Sequence, residues 1–481
     1  MDKTESKNKM GVEPIHKLLL TMGMPMIISM ALQALYNIVD SYFVSCMKDT
    51  EQITNMGDYA VNALTLAFPI QMLMVAIGVG TGVGVNALLA KSLGEGDRKK
   101  ASKVAGNAIF LGVCMYALFV LFGIFGVNLY MHSQTKDAVI FQLGSSYLRI
   151  CTILSFGITM YLIFEKLLQA TGRTTLSTIA QVAGAVTNIV LDPILIYGYL
   201  GLPKMGMEGA ALATVIGQTV SFFLDALFHY KYNKDVDTKL TYLKPERQII
   251  KEIYQVGVPA IIMQALMSFM TYGVNIILGA FSANAVTAYG VYYKIQQFVF
   301  FAAFGMNNAM IPVIGFNFGM ADKKRVDASI RYGMIYTLAI MLLGLIGGQV
   351  FANQLVGIFA VSKQTRTLCV RAIRIITWGY LFVGANIAYQ GIFQALGNGI
   401  KSLIISLLRL IIIVLPLTWL LTKFCNAEQI VWIAFPMAEA IAFIVAVILM
   451  RRVKATQLKT MGKEENCTNR EENTINDNHS Q

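Results

Sequence analysis

Val104-Ala-Gly-Asn-Ala-Ile-Phe-Leu-Gly-Val-Cys-Met-Tyr-Ala-Leu-Phe-Val-Leu-Phe-Gly-Ile-Phe-Gly-Val-Asn-Leu-Tyr130 runs for 27 residues without a charge. At about 1.5 Å rise per residue, roughly 20 apolar residues cross a ~30 Å hydrocarbon core. The stretch therefore predicts a membrane-spanning helix, and Ile375 to Gln394 is a second charge-free window of the same kind. Outward from these, hydropathy and polar breaks predict twelve spans: 17–46, 60–90, 104–130, 139–168, 175–200, 208–230, 252–280, 285–318, 329–358, 368–396, 400–422 and 428–450. Composition agrees. Of 481 residues, 56% are hydrophobic and 14% charged, against about 25% charged in a soluble domain.

The first dozen residues are polar and lack a cleavage site, and the run Leu18 to Met47 is too long for a signal peptide. It reads as a retained first span. Short loops set the orientation. The loops after spans two, six and eight and the exit from span twelve hold 17 Lys and Arg, against six in the opposite loops. Basic loops stay in the cytoplasm, so both termini are expected there, in a multi-pass cell membrane protein. The net charge of +12 is thus a topology signal; the lipid bilayer is the expected partner and nucleic acid is not. The six cysteines show no CxxC or Cys/His metal spacing and are expected to be free thiols, with a Cys46–Cys425 disulfide as the minor alternative.

The chain reads as a duplication with an offset of 225 residues. Ala60-Val-Asn-Ala faces Ala285-Val-Thr-Ala, Gly94-Glu-Gly-Asp faces Gly319-Met-Ala-Asp, and Gln169-Ala-Thr-Gly faces Gln394-Ala-Leu-Gly. Upstream, Gly23-Met-Pro25 faces Gly257-Val-Pro259 at an offset of 234. Each half has six spans, an even number, so both enter the membrane in the same sense. The expected fold is an all-α polytopic membrane protein, twelve transmembrane helices in two six-helix bundles related by a parallel repeat. Its segments would be a polar amino-terminal stretch 1–15, bundles 16–230 and 252–452, a cytoplasmic linker 231–251 and a disordered tail 453–481. Parallel repeats with a cleft between them are a transporter architecture.

Over residues 15–450 the chain resembles the multidrug and toxic compound extrusion (MATE) family, and within it the branch of MepA-like exporters. The resemblance rests on Gly23-Met-Pro25, Asn37-Ile-Val-Asp40, Gly94-Glu-Gly-Asp, Gln169-Ala-Thr-Gly-Arg, Asn188-Ile-Val-Leu-Asp192-Pro193 and Gly209-Ala-Ala-Leu-Ala-Thr214, taken in order. It implies export of diverse, often cationic drugs in exchange for H⁺ or Na⁺.

Carboxylates inside a bilayer are costly and mark cavities or ion paths. The candidates are Asp40, Glu165, Asp192, Asp225 and Glu439. Asp40 and Asp192 are the expected coupling-ion pair. Asp192 precedes Pro193, which frees a backbone carbonyl, and Asn188 lies four residues earlier on the same helical face. The resemblance adds Asn37 and Thr214 to this cluster. The pair could share a proton, or ionise together around Na⁺ with amide and hydroxyl oxygens; no other metal is implied. Packing between helices is the bland alternative. At an offset of 225 Asp192 maps to Leu417 and Glu165 to Gln390, so coupling is expected in the first bundle. Met30, Gln33 and Tyr36 are candidate cavity residues, as are Glu165 and Glu439. An interfacial Glu165–Lys166 ion pair and an interhelical contact for Glu439 are the competing readings. Asp225 and His229 read as a solvated pair at a helix end. Pro25, Pro193 and Pro259 are candidate hinges. Gly78, Gly80, Gly82 and Gly84 have the spacing for close helix contact.

The chain carries no GxxxxGK[ST] loop, HExxH pair or Cys/His cluster, so neither an enzyme nor an ATP-driven pump is expected, and no cofactor beyond the coupling ion. Secondary active efflux of lipophilic small molecules by a functional monomer is the expected activity. A flippase of a lipid-linked cell-envelope precursor is the alternative, disfavoured because the central charges are mainly acidic.

Overall fold

The computed structural model describes residues 8–47, 55–237, 239–359, 361–424, 426–459 and 461, apart from the side chains of Ala34, Asn37, Ile38 and Leu240. Cys425 and most of the expected tail lie outside the described residues. No strand occurs among those described. The long helices of the first half are α1 (Ile15–Ser45), α2 (Met56–Gly94), α3 (Arg98–Gln134), α4 (Ala138–Ile153 with Phe156–Ala170), α5 (Thr174–Tyr197) and α6 (Met207–Tyr232). The second half gives α7 (Arg247–Gly279), α8 (Ala283–Gly319), α9 (Lys323–Val350), α10 (Lys363–Thr377 with Tyr380–Ala395), α11 (Gly399–Leu421) and α12 (Ala427–Leu458). Ten of these pass as membrane spans by length and hydropathy, and α4 and α10 raise the number to twelve when each bent pair is one span. Each of the twelve expected spans has its helix.

The duplication recurs in the details. α4 and α10 bend by 48° and 53° at corresponding places, and each starts on a side-chain cap, Asp137 accepting from Val139 N and Ser362 from Thr365 N. Such caps satisfy amide groups that the first helical turn leaves without partners. Gly94 and Gly319, equivalent by the repeat, cross each other reciprocally. A Cβ on Gly94 would stand 2.0 Å from Phe316 O, and one on Gly319 would stand 2.1 Å from Lys91 O. Backbones this close leave no room for a side chain.

Two compact units emerge: an amino unit of Met24–Leu89 and Arg98–Ala265, and a carboxy unit of Met1–Gly23, Ala90–Asp97 and Leu266–Gln481. They differ from the sequence halves in an exchange of leading segments. α1 before Pro25 packs with the carboxy unit, and α7 through Pro259 packs with the amino unit. In the carboxy unit, Arg325 donates to Met10 O (2.9 Å) and Glu13 O (2.8 Å), and Asn317 donates to Met10 O, which ties residues 10–13 to α8 and α9. The linker after α6 is laced to α3 through Asn107, which donates to Lys244 O and accepts from Glu246 N, and through Lys103–Glu246 at 2.7 Å. The last helix continues to Leu458, past the expected start of the tail.

The four glycines of α2 serve two faces. A Cβ on Gly80 or Gly84 would stand 2.6 Å from Ile261 N or 2.1 Å from Ile253 O of α7; one on Gly78 or Gly82 would strike Leu162 or Lys166 of α4. Gly84→Leu therefore separates α2 from α7, and the expected outcome is loss of monodisperse protein on extraction from the membrane. Gly347→Ala, where an added Cβ meets nothing within 4 Å, is expected to match wild type in the same size-exclusion assay.

Candidate functional site

The amino unit encloses a cavity of about 290 Å³. α1 contributes Gln33, Tyr36 and Asp40 to its wall, and α2 contributes Phe68, Gln71 and Met72. Tyr147 and Tyr161 come from α4, Gln181 and Asn188 from α5, and Thr214, Gln218 and Ser221 from α6. The residues from α6 follow helical spacing, so one face of that helix lines the space. Asp40 is the only carboxylate on the wall, and no Lys or Arg lines it among the described residues.

The polar wall is held internally. Gln71 donates to Tyr147 OH (2.9 Å), and Gln181 donates to Tyr161 OH (3.1 Å). Around the acidic pair the pattern changes. Asn188 Nδ2 donates to Asp192 Oδ1 at 3.4 Å and approaches Thr214 Oγ1 at 3.5 Å, both long. Asp40 Oδ1, Asp192 Oδ2 and Asn188 Oδ1 are buried with no hydrogen-bond partner. Asp192 is fully buried, Asp40 is 8% exposed, and the two are within electrostatic reach of each other. Buried acceptors without donors are costly. Three of them, two from carboxyls and one from an amide, make a place where a proton or a small cation is favoured. Pro193 lies inside α5 directly after Asp192 and leaves the carbonyl of Ile189 without its helical amide partner.

Asp40, Asp192, Asn188 and Thr214 thus come together, and Gln33 and Tyr36 line the cavity. The Asn37 side chain lies outside the described residues. Met30, Glu165 and Glu439, expected at the cavity, are not on its wall. Glu165 is buried in α4, where Gln169 Nε2 donates to it (2.6 Å) and Lys166 stands 3.6 Å away. That is the ion pair of the competing reading, and both of its members are buried in the protein. The Asp225–His229 reading needs correction: both are buried, at 0% and 1% exposure, because α6 packs its carboxy-terminal half against Phe164 of α4. Pro25 and Pro259 lie inside unbroken helices, like Pro193. Cys46, Cys114, Cys151 and Cys369 are free.

Glu439 makes the interhelical contact of the competing reading, in a carboxy-unit network whose other members, Arg409 and Asn386, sequence reading missed. Arg409 Nε and Nη2 both donate to Glu439 Oε1 at 2.8 Å, and Asn386 Nδ2 donates to Oε2 at 2.8 Å. Arg409 sits in a π-turn of α11, Leu408–Ile412. At the repeat offset of 225, Asn386, Arg409 and Glu439 correspond to Tyr161, Gly184 and Thr214, all three on the wall of the amino-unit cavity. The equivalent place in the carboxy unit is occupied by an ion pair. A lone Arg in the apolar run from Leu403 to Leu421 was the available signal.

A family model described as MatE matches residues 25–194 and 259–420, one segment in each half. The multidrug export protein MepA of Staphylococcus saprophyticus is 25% identical over 436 residues, spanning 91% of this chain and 93% of that protein. MepA of Staphylococcus aureus is 24% identical over 442 residues, with 91% and 94% covered. Among solved structures, an outward-facing multidrug resistance MATE family transporter of the MOP superfamily superposes with a TM-score of 0.86 at 24% identity, covering 96% of this chain and 100% of that one. A MOP superfamily transporter from Pyrococcus furiosus, described by the reverse polarity of its binding pocket, gives 0.85 at 25% identity, with 95% and 100% covered. With a family model matched across both repeats, the chain belongs to the MatE family.

Proposed function

We propose that this protein is a secondary active exporter that moves lipophilic, cationic small molecules out of the cell in exchange for H⁺ or Na⁺. The observation that carries the reading is the amino-unit cavity: aromatic and apolar residues interspersed with neutral amides and hydroxyls, a single carboxylate at Asp40, and no basic residue among the described lining. Such a wall suits an apolar cation and opposes an anion by charge. The names of the relatives, multidrug export proteins covered over nine-tenths of their length, support the same substrate class. Asp40 and Asp192, with Asn188 and Thr214, would take the coupling ion, and Asn37 would join them. Pro25, Pro193 and Pro259 would let α1, α5 and α7 change shape as it binds. The basic loops and both termini would face the cytoplasm, and the monomer would be the working form.

The polarity of the wall is testable with two isosteric probes. Tetraphenylphosphonium is expected to bind the purified protein, and tetraphenylborate, its anionic counterpart, is not. Asp40→Asn is expected to weaken the cation at least about tenfold, close to 1.4 kcal/mol. Preference for the borate would overturn the cationic reading and favour a carrier of anionic lipid-linked precursors.

A further inference from the structure

Asp225 lies on α6 in a file of polar residues four apart: Ser221, Asp225, His229 and Asn233. All four are buried. The file starts at the cavity, where Ser221 lines the wall. At its other end Arg173 donates to Asn233 Oδ1 (3.3 Å) and pairs with Asp235. Neither oxygen of Asp225 has a hydrogen-bond partner, and the carboxyl is fully inaccessible.

The charges around it do not balance a carboxylate. Glu165 and Lys166 of α4 are the charged groups acting on Asp225. Lys166 is already engaged, donating to Gln169 Oε1 (2.8 Å) and standing 3.6 Å from Glu165. His229 supplies no positive charge. Arg173 holds the Asn233 amide so that its Nδ2 faces His229 Nδ1 at 3.1 Å, which makes Nδ1 an acceptor and leaves the imidazole proton on Nε2. Tyr161 of α4 is within electrostatic reach of both Asp225 and Glu165 and also lines the cavity. Near the cavity α5 touches the file through Ala180 O, which accepts from Ser221. An ionised Asp225 would therefore be a buried charge with no donor, while Lys166 is held by other partners, and such a charge is strongly disfavoured.

We propose that Asp225 is a proton-binding site of the amino unit, separate from Asp40 and Asp192, and loaded from the cavity past Ser221 and Tyr161. A proton passes along the hydroxyls by donation and replacement: each releases one as it accepts one, neither is left ionised, and no electrons are transferred. When Asp225 gives its proton up, Lys166 is the cation within reach. Its stem lies against Gly82 of α2, so turning the ammonium from Gln169 to Asp225 alters contacts among α2, α4 and α6. Loss of one proton is thereby tied to a repacking of three helices. The proposal deepens the ion-coupled reading of the amino unit and rests on it for its role in transport, but the site can be tested without transport.

Infrared spectra of the reconstituted full chain detect protonated carboxyls directly through the C=O stretch. Asp225→Asn is expected to delete one such band that wild type, Asp40→Asn and Asp192→Asn all retain, and Asp225→Glu is expected to shift it. Should Asp225→Asn not fold, the shift in Asp225→Glu decides alone. A protonated-carboxyl region unchanged by substitution at Asp225 overturns the proposal. Absence of any drug flux in wild type would instead overturn the exporter reading and leave the infrared result standing.

Discussion

Asp192→Asn is expected to leave the protein in the membrane at wild-type amounts while lowering gradient-driven export of a lipophilic cation at least about tenfold. The change preserves shape, and the carboxylate contributes little to folding as it stands: one oxygen receives a 3.4 Å contact from Asn188 and the other receives none. Hydrogen bonds this long add little stability. What the amide removes is the capacity to bind a proton or a cation beside Asp40. An exporter whose outward step depends on that event loses coupling, yet the cavity, whose wall does not include Asp192, still holds its ligand. Exchange of labelled for unlabelled cation with no gradient imposed is therefore expected to survive. Paired assays of driven export and unlabelled exchange check this; full driven export by Asp192→Asn would remove the acidic pair from the mechanism.

Arg409→Met is expected to destabilise the carboxy unit strongly. It strips Glu439 of two donors at 2.8 Å and leaves a buried carboxylate facing Asn386 alone. Breaking one side of a buried pair costs about 3–5 kcal/mol, whereas replacing both sides by neutral groups is often close to neutral. The double variant Arg409→Met/Glu439→Gln is accordingly expected to recover more than half of the loss. Thermal unfolding midpoints of the purified proteins measure both. Equal loss in the single and double variants would mean that the pair is not coupled as its geometry implies.

Much of the architecture was legible because hydropathy and loop charge act at the scale of whole spans. The bends in α4 and α10 were not, since the apolar pattern passes straight through Leu154 and Trp378. Nor was the exchange of leading segments before Pro25 and through Pro259, because an apolar helix face does not name the helix it meets. The core of the candidate site was readable: an intramembrane Asp before a proline, with Asn one turn away, signals a polar cluster without knowledge of partners. Asp225 and His229 were misread as solvated because charges near helix ends usually are. Here α6 runs on to Tyr232, and aromatic residues of α4 cover the pair. Arg409 and Glu439 lie 30 residues apart on different helices, and neither residue alone reveals the contact that neutralises both.

The most direct test of ion-coupled export is ethidium flux in proteoliposomes under a H⁺ gradient or a Na⁺ gradient, each imposed alone. The expected result is uphill ethidium movement under one of the two, abolished when that gradient is collapsed. Folded, reconstituted protein that moves no ethidium uphill under either gradient would contradict it.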